Sequence, residues 1–157
     1  MIRMSKLTDY AILLLAHLAR ASGTMTAQEL AARSRVPLPT VSKLAKELSK
    51  AGLVVSHRGR NGGYGLARRA EEISVAEIVE ALEGPIALTD CNLHEGACSQ
   101  EPSCHVRTPW QQINRAVHDA LSRIRLADLA AADAPGAIVS FASLGVDTTG
   151  IDTTPIS

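Results

Sequence analysis

With 157 residues, of which only Tyr10, Tyr64, Trp110 and Phe141 are aromatic, the chain can bury one modest core of Leu, Ala, Val and Ile, a composition that suits helices better than a β-sandwich. Its formal charge is zero, yet residues 1–69 carry twelve Lys/Arg against three acids and residues 70–157 four against thirteen, an asymmetry that points to nucleic acid at the basic end. No apolar run approaches the roughly 20 residues that cross a bilayer, and Met1–Lys6 lacks the apolar core of a secretory signal, so a cytoplasmic protein without membrane contact is expected.

Leu7, Tyr10, Ala11, Leu14, Leu15 and Leu18 recur at helical spacing, with Ser5 as N-cap and Gly23 as stop, which predicts a first helix over about 5–22. Thr26 and Glu29 form a capping box that opens a second, ending near Ser34. Pro39 suits the first turn of a third, because its missing N–H would have no partner there. That helix runs to about Ala51, with Val41, Leu44, Ala45 and Leu48 inward and Gly52 as a left-handed cap.

Leu53–His57 and Tyr64–Arg68 read as paired strands joined by Arg58-Gly59-Arg60-Asn61-Gly62-Gly63, a basic tip of residues that tolerate positive φ. Three helices and a hairpin are the order of a winged helix-turn-helix domain. A second capping box, Ser74 with Glu77, opens a helix that Gly84-Pro85 stops. From Pro109 a longer helix is expected to reach about Ala131, with Trp110, Ile113, Val117, Leu121 and Ile124 on one stripe. A stripe so apolar wants another helix, and a second copy of the chain supplies one. The expected division is a winged helix-turn-helix domain over 1–83, a thiol loop over 84–108, a dimerisation helix over 109–132 and a disordered tail over 133–157. The fold class is therefore mainly α.

In a helix-turn-helix the second helix of the unit enters the major groove, and residues near its N-terminus reach base edges. Here these are Pro39, Thr40, Ser42 and Lys43, with Lys46 further along toward phosphate and Thr26 and Gln28 on the preceding helix. Arg58, Arg60 and Asn61 at the hairpin tip would meet a minor groove, whose negative potential draws guanidinium groups. Basic helix faces are often merely solvated. The three short helices, the arginine-bearing tip and the positive half together favour double-stranded DNA. No Ser/His/Asp array, nucleotide-binding loop or carboxylate pair stands out, so no enzyme is expected.

All three cysteines, Cys91, Cys98 and Cys104, lie in one polar loop, separated by six and then five residues. An odd number of clustered cysteines in a reducing compartment points to metal ligation or redox chemistry rather than disulfides. Thiolate is the soft ligand that iron–sulfur clusters and Zn²⁺ select. The spacings match neither zinc-finger knuckles nor ferredoxin runs, but a loop this long can wrap a cluster. Zinc held by three Cys and one His, an electron carrier built on the same thiols, and three incidental cysteines are the competing readings.

With wing and thiol loop in one chain, residues 1–130 resemble the IscR-like family of iron–sulfur-regulated winged-helix repressors. The likeness rests on Lys6–Tyr10, Pro37–Val41, Gly52–Val54, Arg58–Arg68 and the three-cysteine loop before the helix that begins near Trp110. It implies a homodimer, packed through the C-terminal helix, that binds pseudo-palindromic promoter DNA and responds to a [2Fe–2S] or [4Fe–4S] cluster. The implied regulon is a cluster-assembly operon of the SUF type, with iron and nitric oxide as alternative signals. Two departures stand out. The family pattern has five residues between the first two cysteines, and it places a His where this chain has Arg107, which cannot ligate iron. The fourth ligand is therefore open among His105, His94, Glu101 and Asp9, the last from the other subunit, as nitric-oxide-sensing relatives suggest.

Overall fold

The computed structural model describes residues 4–59, 62–100 and 103–131. Three helices come first: α1 (Lys6–Arg20), α2 (Ala27–Ser34) and α3 (Leu38–Lys50). A two-stranded antiparallel hairpin follows, β1 (Val54–His57) with β2 (Gly63–Leu66), in the register Val54↔Leu66 to His57↔Gly63. After a short 3₁₀ turn come α4 (Val75–Glu83), the thiol loop, α5 (Arg107–Arg123) and α6 (Leu126–Ala131). Arg60 and Asn61 at the wing tip, Glu101 in the loop and the tail 133–157 lie outside the described residues.

Local chemistry sets the helix starts. Ser5 caps α1 through the Thr8 N–H, and both capping boxes form, Thr26 with Glu29 and Ser74 with Glu77. Each cap contributes about 0.5–2 kcal/mol. Gly52 takes its left-handed conformation (φ 72°) after α3, and Arg35 adopts one (φ 58°) between α2 and α3, turning the chain toward Pro37. The apolar stripes of α1, α2 and α3 then meet in one core through Leu14, Leu15, Leu18, Leu30, Val41, Leu44 and Leu48, closed by Leu53, Val54, Ile73 and Ile78. Met25 joins the hairpin as a third strand position: its N–H and C=O bond Tyr64 at 2.9 and 2.7 Å. The approach leaves no room for a side chain at position 63, where a Cβ would lie 2.7 Å from the Met25 carbonyl.

The single helix expected from Pro109 to about Ala131 is two. It begins at Arg107 and ends at Arg123, where Ile124 turns extended (φ −79°, ψ 125°). Its carbonyl accepts the Val75 N–H at 2.9 Å, and the Leu126 N–H donates to the Ile73 carbonyl at 2.9 Å. The Asp128 carboxylate then accepts the Arg125 N–H and starts α6. Backbone pairing with the residues before α4 thus takes over from helical bonding, while apolar spacing runs on undisturbed across the break. Leu126 is fully buried in the common core. At the other end, α1 stops at Arg20, with Ala21 already extended, before it reaches Gly23.

Glu83, at the end of α4, ties α4 to the start of α1. Hydrogen bonds from the Ser5 side chain, the Thr8 hydroxyl and the Ser5 N–H hold its carboxyl below the ordinary carboxylate range. A group depressed on folding stabilises above its unfolded-state value and loses that contribution as pH falls through its lowered one. Urea titrations between neutral pH and pH about 3 should show wild type losing more stability in this acid window than Glu83→Gln, which has no proton to gain. Identical pH profiles would contradict this role for Glu83.

Candidate functional site

Helix α3 presents a split surface. Val41, Leu44, Ala45 and Leu48 are buried, whereas Pro39, Ser42, Lys43 and Lys46 are exposed and Thr40 is half-buried. The inward stripe fixes the helix and leaves its polar side facing out, at the second position of a helix-turn-helix. Lys50 is spent on Glu47, 3.1 Å away. Gln28 is exposed on α2, but the Thr26 hydroxyl is engaged by Glu29 at 2.9 Å as part of the cap. Arg58 stands exposed at the start of the wing tip, and the Gly62 N–H closes the turn onto the Gly59 carbonyl at 2.9 Å. A Cβ at Gly62 would meet the His57 carbonyl at 2.6 Å, so the tip stays tight only with glycine there. The arrangement offers cations and hydroxyls on α3, an amide on α2 and a guanidinium on the hairpin, the donor set that phosphates and base edges accept.

The far end of the wing is tied to α4. Burial works against the charge on Glu77, but the Ser74 N–H, the Arg68 guanidinium and the Ser74 hydroxyl outweigh it and hold the carboxyl below its ordinary range. Arg68 Nη2 lies 2.7 Å from Glu77 Oε1. Helix α4 in turn leads directly into the thiol loop.

Cys91, Cys98 and Cys104 are all free thiols and all half-buried. Cys91 sits in a 3₁₀ turn, Asp90–Asn92, with its Sγ 3.2 Å from the Thr89 hydroxyl. Of the proposed fourth ligands, His94 is exposed with Nδ1 3.2 Å from the Glu95 carbonyl, and His105 is exposed beside Cys104. Asp9 lies on the first turn of α1, at the rim of a 700 Å³ hollow shared with Met4, Ser5, Lys6, Ile12 and Glu83. Among the described residues, no three His, Cys, Asp or Glu side chains converge into a metal-holding group. The loop carries the donors without gathering them. As chemistry the set fits a soft metal centre: three reduced sulfurs on an irregular segment, closed at both ends by helices.

Sequence reading missed the residue that anchors this loop. Asn114, on α5, donates from Nδ2 to the Ile86 carbonyl at 3.0 Å and accepts the Leu88 N–H on Oδ1 at 2.9 Å. The side-chain amide thus replaces a neighbouring strand for the segment that leads to Cys91. The only sequence signal was a lone Asn one position from the apolar stripe. Two such bonds contribute about 1–3 kcal/mol of local stability. Asn114→Ala should therefore speed amide exchange across 86–92 roughly tenfold or more, as read by mass spectrometry. Unchanged exchange there would show that the clamp carries no load.

Of the expected stripe on α5, Trp110 and Ile113 are 39% and 46% exposed, although both are large and apolar. Val117 and Leu121 are half-buried and line a groove with Val79, Pro85, Ile86 and Leu88. Ile124 lies past the helix end. No helix among the described residues is long and apolar enough to cross a membrane.

Comparisons with known proteins agree with this fold. The profile of the Rrf2 family, described as iron-dependent transcriptional regulators, matches residues 4–132. The protein rrf2 of Nitratidesulfovibrio vulgaris is 35% identical over 102 residues, 65% of this chain and 68% of that protein. The solved structure of CymR (YrzC), the global cysteine regulator of B. subtilis, superposes with a TM-score of 0.66 at 29% identity, over 83% of this chain and 97% of that one. T. potens IscR superposes with a TM-score of 0.63 at 28% identity, over 82% and 85%.

Proposed function

Because this chain belongs to the Rrf2 family of transcriptional regulators, and is IscR-like within it, we propose that it is a repressor whose grip on promoter DNA depends on an iron–sulfur cluster held by Cys91, Cys98 and Cys104. It is a regulator, not an enzyme. The observation that carries the proposal is the coexistence of three free, half-buried thiols in one loop with a winged helix-turn-helix whose helix α4 leads into that loop.

Within this reading each residue has a defined task. Thr40, Ser42 and Lys43 face base edges, Pro39 shapes the start of α3, and Lys46, Thr26 and Gln28 face the backbone. Arg58, with Arg60 and Asn61, enters the minor groove. Trp110, Ile113, Val117 and Leu121 cover the same face of a second copy, with Ile124 at the end of that contact, giving a homodimer for a two-fold operator. The cluster would supply a redox- and supply-sensitive charge at the loop. His105, His94, Asp9 of the partner or Glu101 would complete its ligands, and [2Fe–2S] and [4Fe–4S] both suit such a set. The regulon in this reading is a SUF-type assembly operon, which the overall IscR likeness supports, and free thiols suit the cytoplasm.

Anaerobic purification with iron and sulfide counts, followed by DNA binding of loaded and stripped protein at two salt concentrations, tests the whole. A coloured protein is expected, with loaded and stripped forms differing in affinity and with log K falling steeply with log salt. Lys46→Ala, lost from both subunits, should flatten that slope by about two units, whereas Lys43→Ala should cost about 1–3 kcal/mol per base contact and relax sequence preference. Colourless protein, equal affinity in both forms or a flat salt response would overturn the proposal.

A further inference from the structure

The segment before the first thiol is held by a run of side-chain hydrogen bonds. Asn114 grips residues 86 and 88, and the next side chain, Thr89, points its hydroxyl at Cys91 Sγ from 3.2 Å. That hydroxyl has a second partner: Asn92 Nδ2 donates to Thr89 Oγ1 at 2.7 Å, while the Asn92 backbone N–H bonds the Thr89 carbonyl at 2.9 Å. A hydroxyl owns one proton and two lone pairs. Asn92 occupies a lone pair, so the proton remains free to turn toward sulfur. A cysteine that ligates a metal is a thiolate, which can only accept. In the ligating state the direction of the bond is therefore settled: Thr89 donates and Cys91 receives.

We propose that Thr89 is the positioning residue for the Cys91 thiolate, donating a hydrogen bond to the ligand sulfur in a direction fixed by Asn92. Hydrogen bonds to a ligating sulfur withdraw electron density from it. They raise the reduction potential of a cluster and lower the energy of the filled sulfur orbitals. The role rests on the proposed thiolate centre, but it concerns the electronic state of a single sulfur rather than DNA binding.

The test compares wild type with Thr89→Val, which keeps the shape and removes the donor, and with Thr89→Ser, which keeps the donor. Metal-free protein is loaded anaerobically with Co²⁺ alone, and its sulfur-to-cobalt charge-transfer absorption is recorded. The iron–sulfur form is titrated for its reduction potential in parallel. Thr89→Val should move the cobalt band to longer wavelength and lower the potential, Thr89→Ser should leave both at their wild-type positions, and Asn92→Ala should give a smaller shift in the Thr89→Val direction. No shift in Thr89→Val, or equal shifts in the Val and Ser variants, would overturn the assignment. Iron-free wild type that still shows the hydroxyl-dependent cobalt shift would retire the cluster and keep Thr89. Iron-loaded wild type insensitive to Thr89→Val would retire Thr89 alone, and uptake of neither metal would defeat both.

Discussion

Cys98→Ala is expected to abolish the chromophore and remove essentially all bound iron while leaving the helices intact. Cys98 lies in an irregular loop, half-buried, and is absent from the cluster of side chains that builds the core. Its removal costs the fold little, as is usual for substitutions away from packed sites, which stay within about 0.5 kcal/mol. For the proposed centre the cost is expected to be large, because it removes one of only three thiolates available to hold a cluster. Anaerobic absorption and iron counts, set beside far-ultraviolet circular dichroism and a thermal melt, separate the two effects. Retention of stoichiometric iron would remove Cys98 from the ligand set. A collapse of helical signal would show that the loop is structural instead.

Leu126→Ala should destabilise the chain by about 2–5 kcal/mol, the range for emptying a buried leucine site. Few positions so late in a sequence have such an effect. Leu126 is fully buried, and its N–H is bound to the Ile73 carbonyl, so the start of α6 is packed into the same core as α1 and α4. Arg20 adds a bond from its Nε to the Ala130 carbonyl at 2.6 Å. Urea denaturation at fixed protein concentration measures the loss, with Leu93→Ala, 48% exposed, as a control near zero. A loss under about 1 kcal/mol for Leu126→Ala would mean that α6 is an appendage.

The parts of this molecule that sequence reveals are those governed by neighbours in the chain. Capping boxes at Thr26 and Ser74, the Pro39 start and the Gly52 cap depend on contacts within a few residues and are where they were expected, and the hairpin is within two residues of its expected bounds, its second strand ending at Leu66 rather than Arg68. The break at Ile124 depends on a segment fifty residues away, whose backbone groups periodicity cannot see. Met25 as a sheet partner of Tyr64 and the grip of Asn114 on residues 86–88 are invisible for the same reason. The three cysteines stand out in the sequence because cysteine is rare and clustered here. No local rule brings Cys91, Cys98 and Cys104 to one point, and among the described residues they do not converge.

The stitch between residues 124–126 and 73–75 fastens the far end of α5 to the start of α4. The seventeen residues of α5 span about 25 Å, from the thiol loop at one end to the start of α4 at the other. Two main-chain bonds fix that end, and the Asn114 bonds to residues 86 and 88 hold the middle of the rod. Joined to α4 at its end and, through Asn114, at the segment that follows α4, α5 would travel with α4 as one body rather than slide along it.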